Sequence, residues 1–204
     1  MRNLPVKLAK ALAVSPCGLF NFQFPNWKSG LTMFSMQGQD IAILLKLAIR
    51  DDRSLPSKDL AASLFISPSE ISKALRRCVN SGLLYISGAE KRVNRTGLFE
   101  FLEHGLRYVF PPAMGSLVRG VPTAAAAEPL KSRLLEDGEP PVVWRFAEGT
   151  VRGIAIAPLY KAAPKAALHD SSFYAVLALA DAIRGGRTRE RNLAIELLKK
   201  ELHV

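Results

Sequence analysis

The 204-residue sequence predicts an α+β fold, mainly α, on three observations. Apolar residues recur at helical spacing in short segments between Gln37 and Val109, and again after Ser171. The period shortens to that of a strand only around Leu83–Val93 and Val142–Ile156. Each change of period is marked by Gly, Pro or a capping Ser or Asp. The expected layout is an N-terminal extension over 1–36, a helix-rich unit over 37–110 and a connector over 111–140. A small C-terminal unit over 141–204, with a β-hairpin and a helix pair, completes it.

Taking the elements in order, Gln37 to Arg50 places Ile41, Leu44, Leu45 and Ala48 on one helical face, and Asp51-Asp52-Arg53-Ser54 breaks it. Ser57 is expected to cap a short second helix with Leu60, Ala61 and Leu64 on its buried side. Ser67-Pro68-Ser69-Glu70 then gives a cap, a proline for the first turn, and a glutamate positioned to complete a capping box. A third helix is therefore expected from Pro68 to Asn80. Its buried stripe would be Ile71, Ala74, Leu75, Cys78 and Val79, and Gly82 would follow its end. Leu83 to Ser87, a turn at Gly88-Ala89-Glu90 and Lys91 to Val93 read as a hairpin, and Thr96 to Val109 as a further helix ended by Pro111-Pro112.

Three short helices, the third capped and basic, followed by a hairpin with a basic return strand, form the layout of a winged helix-turn-helix. The segment from Leu55 to Tyr85 resembles the MarR-type bacterial repressors: L-A-x-x-L, a small-residue turn, S-x-x-x-x-S-x-A-L-x-x-L, then a Gly-Leu exit, with Cys78-Val79 a mild departure. The resemblance covers about Asp40 to Val109. It implies a sequence-specific regulator of transcription, expected to be a repressor, that binds double-stranded DNA as a homodimer.

The residues support that expectation independently. Removing the expected stripe from the third helix leaves Ser69, Ser72, Lys73, Arg76, Arg77 and Asn80 outward, a face suited to a major groove. Ser67 adds to it at the helix start. Lys91, Arg92 and Arg95 on the wing would meet phosphates or the minor groove. Lys+Arg number 28 against 18 Asp+Glu, a net charge of +10, which favours a polyanionic partner. The competing reading is a winged-helix module that binds a protein partner, such as an antitoxin or accessory regulator.

No Gly-rich phosphate loop, G-x-S-x-G or paired-carboxylate motif occurs, so the chain is read as a non-enzyme without cofactor. His104, His169 and His203 share no metal spacing with Cys17 or Cys78, and no metal is expected. Asp170 is assigned to capping the helix from Ser171 rather than to catalysis with His169, and Cys78 to a buried thiol. Arg2 and Lys7 precede the semi-apolar stretch Leu8 to Val14, but Lys10 interrupts it and no cleavage site follows. With no membrane-length apolar run, a cytoplasmic location is expected. Trp144, Phe146, Tyr160, Phe173 and Tyr174 give the last unit an apolar surface suited to a second copy, a partner protein or a small apolar effector.

Overall fold

The run Ile41-Ala42-Ile43-Leu44-Leu45 has no polar face to turn to water, so its helix must be enclosed. In the computed structural model, which describes residues 35–50, 54–134 and 138–204, this helix is α1 (Gly38–Ala48), buried at every residue from Asp40 to Ala48. Between it and the hairpin come α2 (Ser57–Leu64) and α3 (Pro68–Asn80). The hairpin strands are β1 (Leu84–Ser87) and β2 (Glu90–Val93), and α4 (Arg95–His104) and α5 (Leu106–Val109) follow. Three more strands, β3 (Met114–Pro122), β4 (Val142–Arg145) and β5 (Val151–Ile156), precede α6 (Ala163–His169), α7 (Ser171–Gly185) and α8 (Thr188–Glu201). The described chain is α+β and mainly helical. Apart from Ser35 and Met36, the expected extension over 1–36 lies outside the described residues.

The helix starts follow local chemistry. The Ser67 hydroxyl accepts the Glu70 amide at 3.3 Å, with Pro68 in the first turn of α3. The other half of the expected capping box is absent, because the Glu70 carboxylate turns to Lys73 at 2.8 Å instead. At α2 the cap position falls to Pro56, which has no side chain to cap with, so Ser57 is the first helical residue. Phe65 makes the sharp turn from α2 into α3 in the left-handed region, at φ 53°. That conformation is uncommon for a bulky side chain. The Phe65 ring is held outside by Lys165, 4.3 Å from its centroid, and by the His169 ring at 5.3 Å. The expected single helix after the hairpin is two, α4 and α5, divided at Gly105.

The larger differences lie downstream. The expected hairpin from Val142 to Ile156 does not form, and the stretch read as a connector supplies the missing strand. β3 runs antiparallel to both β4 and β5, with Gly120 opposite Arg145 on one and Val151 on the other. β4 and β5 also pair in parallel, Val142 with Ile154, which closes a small three-stranded barrel. Closure depends on close backbone approach: a Cβ on Gly149 would lie 2.3 Å from the Gly120 backbone. Gly149 therefore permits a strand crossing rather than a hairpin turn. Within the expected connector the structure also has 3-10 turns at Ala124–Ala126 and Lys131–Arg133.

The aromatic surface of the C-terminal part is used internally. Trp144 and Phe173 lie in one apolar cluster with Ile41, Leu44 and Leu102. α7, buried continuously from Val176 to Arg184, packs against α1, α4, α5, α6 and α8. Val121, Ala124 and Leu130, from the expected connector, lie in the same cluster.

A half-buried ion pair ties the two enclosed helices together. Asp170 caps α7 by accepting the Phe173 amide at 2.9 Å, and its other oxygen pairs with Lys46 of α1, whose side chain is 2% exposed. Burial pushes the Asp170 carboxyl up, but Lys46 and the Phe173 amide outweigh it and hold the carboxyl below its ordinary value. A depressed folded pKa gives stability that is present at neutral pH and lost as pH falls through the folded value. Stability is therefore expected to drop on acidification below about pH 4. Asp170→Asn should be less stable at neutral pH and show a smaller drop between neutral and acid, read as urea midpoints. Equal drops in both proteins would remove Asp170 as the titrating group.

Candidate nucleic-acid interface

The side chains expected to face outward from α3 divide into two groups. Ser69, Ser72, Lys73, Arg76 and Asn80 are exposed. Within the group, the Ser69 hydroxyl lies 3.1 Å from that of Ser67, Ser72 donates to the Pro68 carbonyl at 3.0 Å, and Lys73 pairs with Glu70. Arg76 makes no hydrogen bond or ion pair among the described residues. The Lys73–Glu70 pair is solvated on both sides, so its hold on the lysine is weak.

Arg77 departs from the expectation. Its guanidinium turns inward and grips Asp40 with two bonds, Nε to Oδ2 at 2.7 Å and Nη2 to Oδ1 at 2.7 Å. Nη2 also donates to the Gln37 side chain at 3.2 Å. Asp40 is fully buried in α1 and also accepts the Gln37 amide at 2.8 Å. A buried carboxylate needs a cation, and Arg77 is the one within reach. Asp40 in turn raises the Arg77 pKa. Arg77 is therefore a positioning residue that fixes α3 on α1, and not part of the outward face.

The stripe is rotated to match. Val79, expected to be inside, is 40% exposed, while Ile71, Ala74, Leu75 and Cys78 are buried. Burial pushes the Cys78 thiol up to about 12, so it is protonated at neutral pH and serves as packing.

The hairpin stands off the body. Along β1 only Leu84 is buried, whereas Tyr85, Ile86 and Ser87 are exposed although they alternate between the two faces. Gly88, at φ 57°, makes the tight turn that leads into β2. Of the three cations expected on the wing, Lys91 and Arg92 lie on β2 while Arg95 falls in the first turn of α4, and the three differ in how they are held. Arg92, opposite Tyr85 in the register, is exposed and makes no hydrogen bond or ion pair to another described residue. Lys91 donates to the Leu55 carbonyl at 2.8 Å, and Arg95 to the Ala48 carbonyl at 2.8 Å. Both are half-buried, so their heads are fixed at the hairpin base while Arg92 extends into solvent.

Sequence reasoning missed Arg50. It follows the C-terminal end of α1 and, with Lys91, Arg92 and Arg95, lines a recess of about 280 Å³. The signal was available, since cations gather at helix C-termini, but Arg50 was read only as part of a helix end. Arg184, close in sequence to Arg187, Arg189 and Arg191, is buried against Asp181.

Among the described residues, no group of His, Cys, Asp and Glu is placed to hold a metal ion. His169 Nδ1 lies 2.8 Å from the Lys165 carbonyl, and Asp170 is taken up by Lys46 and the α7 cap. No described helix is long and apolar enough to cross a membrane. No protein-family model matches the chain, and no curated protein or solved structure is significantly similar to it.

Proposed function

We propose that residues 37–110 act as a winged helix-turn-helix that binds double-stranded DNA, with α3 entering the major groove and the β1–β2 hairpin serving as the wing. The chain would then be a MarR-like transcriptional regulator, acting as a dimeric repressor in the cytoplasm. One observation carries the reading: α3 turns outward a face of Ser69, Ser72, Lys73, Arg76 and Asn80, and Arg76 engages no other described residue. Guanidinium forks read guanine edges in pairs of bonds, and short hydroxyl side chains let the helix approach the bases closely. Arg92 on the projecting hairpin supplies a phosphate contact outside the groove.

The test begins with the purified chain and a pool of duplexes, selecting bound fragments and then measuring affinity against salt. Wild-type protein should bind with a steep salt slope. Arg76→Ala is expected to lower affinity for the selected site by about 1–3 kcal/mol and leave random duplex less affected. Arg92→Ala should weaken every sequence alike and flatten the slope by about one. Unchanged binding in both variants would rule out this assignment of surfaces.

A second reading, a winged-helix module docking on a protein, is favoured by a separate observation. Tyr108, Val109, Met114 and Leu117 are 76%, 53%, 58% and 48% exposed along α5 and the start of β3. Apolar surface of this kind suits a protein partner or a second copy. A chain that ignores duplex DNA at low salt would favour this reading.

A further inference from the structure

At the base of the hairpin, three elements bring four cations to one recess: Arg50 follows α1, Lys91 and Arg92 lie on β2, and Arg95 opens α4. The other described walls are Leu47, Ala48 and Val93, and no carboxylate lines the recess among the described residues; Asp51 and Asp52, next to Arg50 in the sequence, lie outside them. The recess holds about 280 Å³, ample for a phosphate group. Among the described residues, the Asp170 carboxylate feels the charge of Arg50 and already has Lys46 as its partner.

Two of these cations are anchored in advance. Lys91 uses one donor on the Leu55 carbonyl and Arg95 one on the Ala48 carbonyl. An ammonium has three donors and a guanidinium five, so both keep donors for a ligand. Their side-chain entropy is already spent, which favours binding. A simpler account is that the cations only balance the C-terminal end of α1. That end carries roughly half an elementary negative charge, which does not by itself match the four cations among the described residues.

We propose that this recess is a phosphate-binding site. The identity of its occupant rests on the DNA-binding reading: a backbone phosphodiester next to the wing, gripped at the hairpin base by Arg50, Lys91 and Arg95. Free phosphorylated small molecules offer the same chemistry, and the experiment separates the two sources.

Full-length wild type, Arg50→Ala, Arg50→Glu and the control Arg119→Ala, an exposed residue of β3, are compared for duplex binding between about 50 and about 200 mM salt. Arg50 is exposed beyond the end of its helix, so both variants should fold, which melting curves check. The expected result is a salt slope lower by about one for Arg50→Ala. Affinity should fall several-fold for that variant and further for Arg50→Glu, with no change in Arg119→Ala. If wild type binds duplex and both Arg50 variants match it, the recess proposal is overturned and the DNA reading stands. If wild type binds no duplex, the DNA reading fails and pyrophosphate titration decides the recess. Pyrophosphate shifts of the arginine Nε–H resonances, lost in Arg50→Ala, would support a site for free phosphates; no such shifts would overturn it.

Discussion

Arg77→Ala is expected to destabilise the chain by about 3–5 kcal/mol, the cost of leaving one partner of a buried ion pair alone. Asp40 would keep only the Gln37 amide at 2.8 Å in place of two further 2.7 Å bonds, in a helix with no solvent-facing side there. Urea unfolding followed by circular dichroism measures the loss. The double variant Arg77→Ala with Asp40→Asn should recover part of it, because an amide costs far less to bury than an unpaired carboxylate. A loss below about 1 kcal/mol, typical of surface substitutions and small perturbations, would mean that Asp40 finds another partner. The same variant separates two roles that the sequence made look identical. If Arg77 positions α3 without touching DNA, the folded variant keeps the wild-type salt slope, whereas Arg76→Ala loses part of its selectivity.

That contrast shows what was legible in the sequence. α3 could be read to the residue, Pro68 to Asn80, because Ser67 and Pro68 act locally and need no knowledge of the rest of the fold. Which of two adjacent arginines faces out could not be read. It depends on Asp40, 37 residues earlier, which lies buried on α1. The wing cations follow the same pattern: the alternation of β2 was visible, but the Leu55 and Ala48 carbonyls that fix Lys91 and Arg95 come from distant turns. The strand β3 was missed because Gly115, Gly120 and Pro122 remove the alternating pattern that marks a strand. Without β3, β4 and β5 have no partner other than each other, which is why the sequence suggests a hairpin there. The C-terminal aromatics were correctly read as needing cover, but the cover is this chain's own α1 and α4.

Asp181→Ala should be comparably damaging, at about 3–5 kcal/mol, because one buried carboxylate joins the barrel to the helices. Asp181 is 1% exposed and accepts Trp144 Nε1 at 2.6 Å, the Thr123 hydroxyl at 2.8 Å and Arg184 Nε at 2.8 Å. Arg184 in turn donates to the Phe110 and Ala157 carbonyls, at the end of α5 and just past β5. Alanine would leave the Arg184 charge buried without its carboxylate, and the indole and hydroxyl without an acceptor. These penalties share one network, so they should not add independently. Pairing Asp181→Ala with Arg184→Met removes the stranded charge and is expected to be less destabilising than Asp181→Ala alone, a comparison that a double-mutant cycle in urea reads directly. If the double variant is instead the worse by the full sum of the single losses, the carboxylate and the guanidinium act separately. In the expected case the coupling free energy is large. Both variants should then also lower the protease resistance of residues 111–156, because Thr123 and Trp144 hold β3 and β4 to α7 through this same carboxylate.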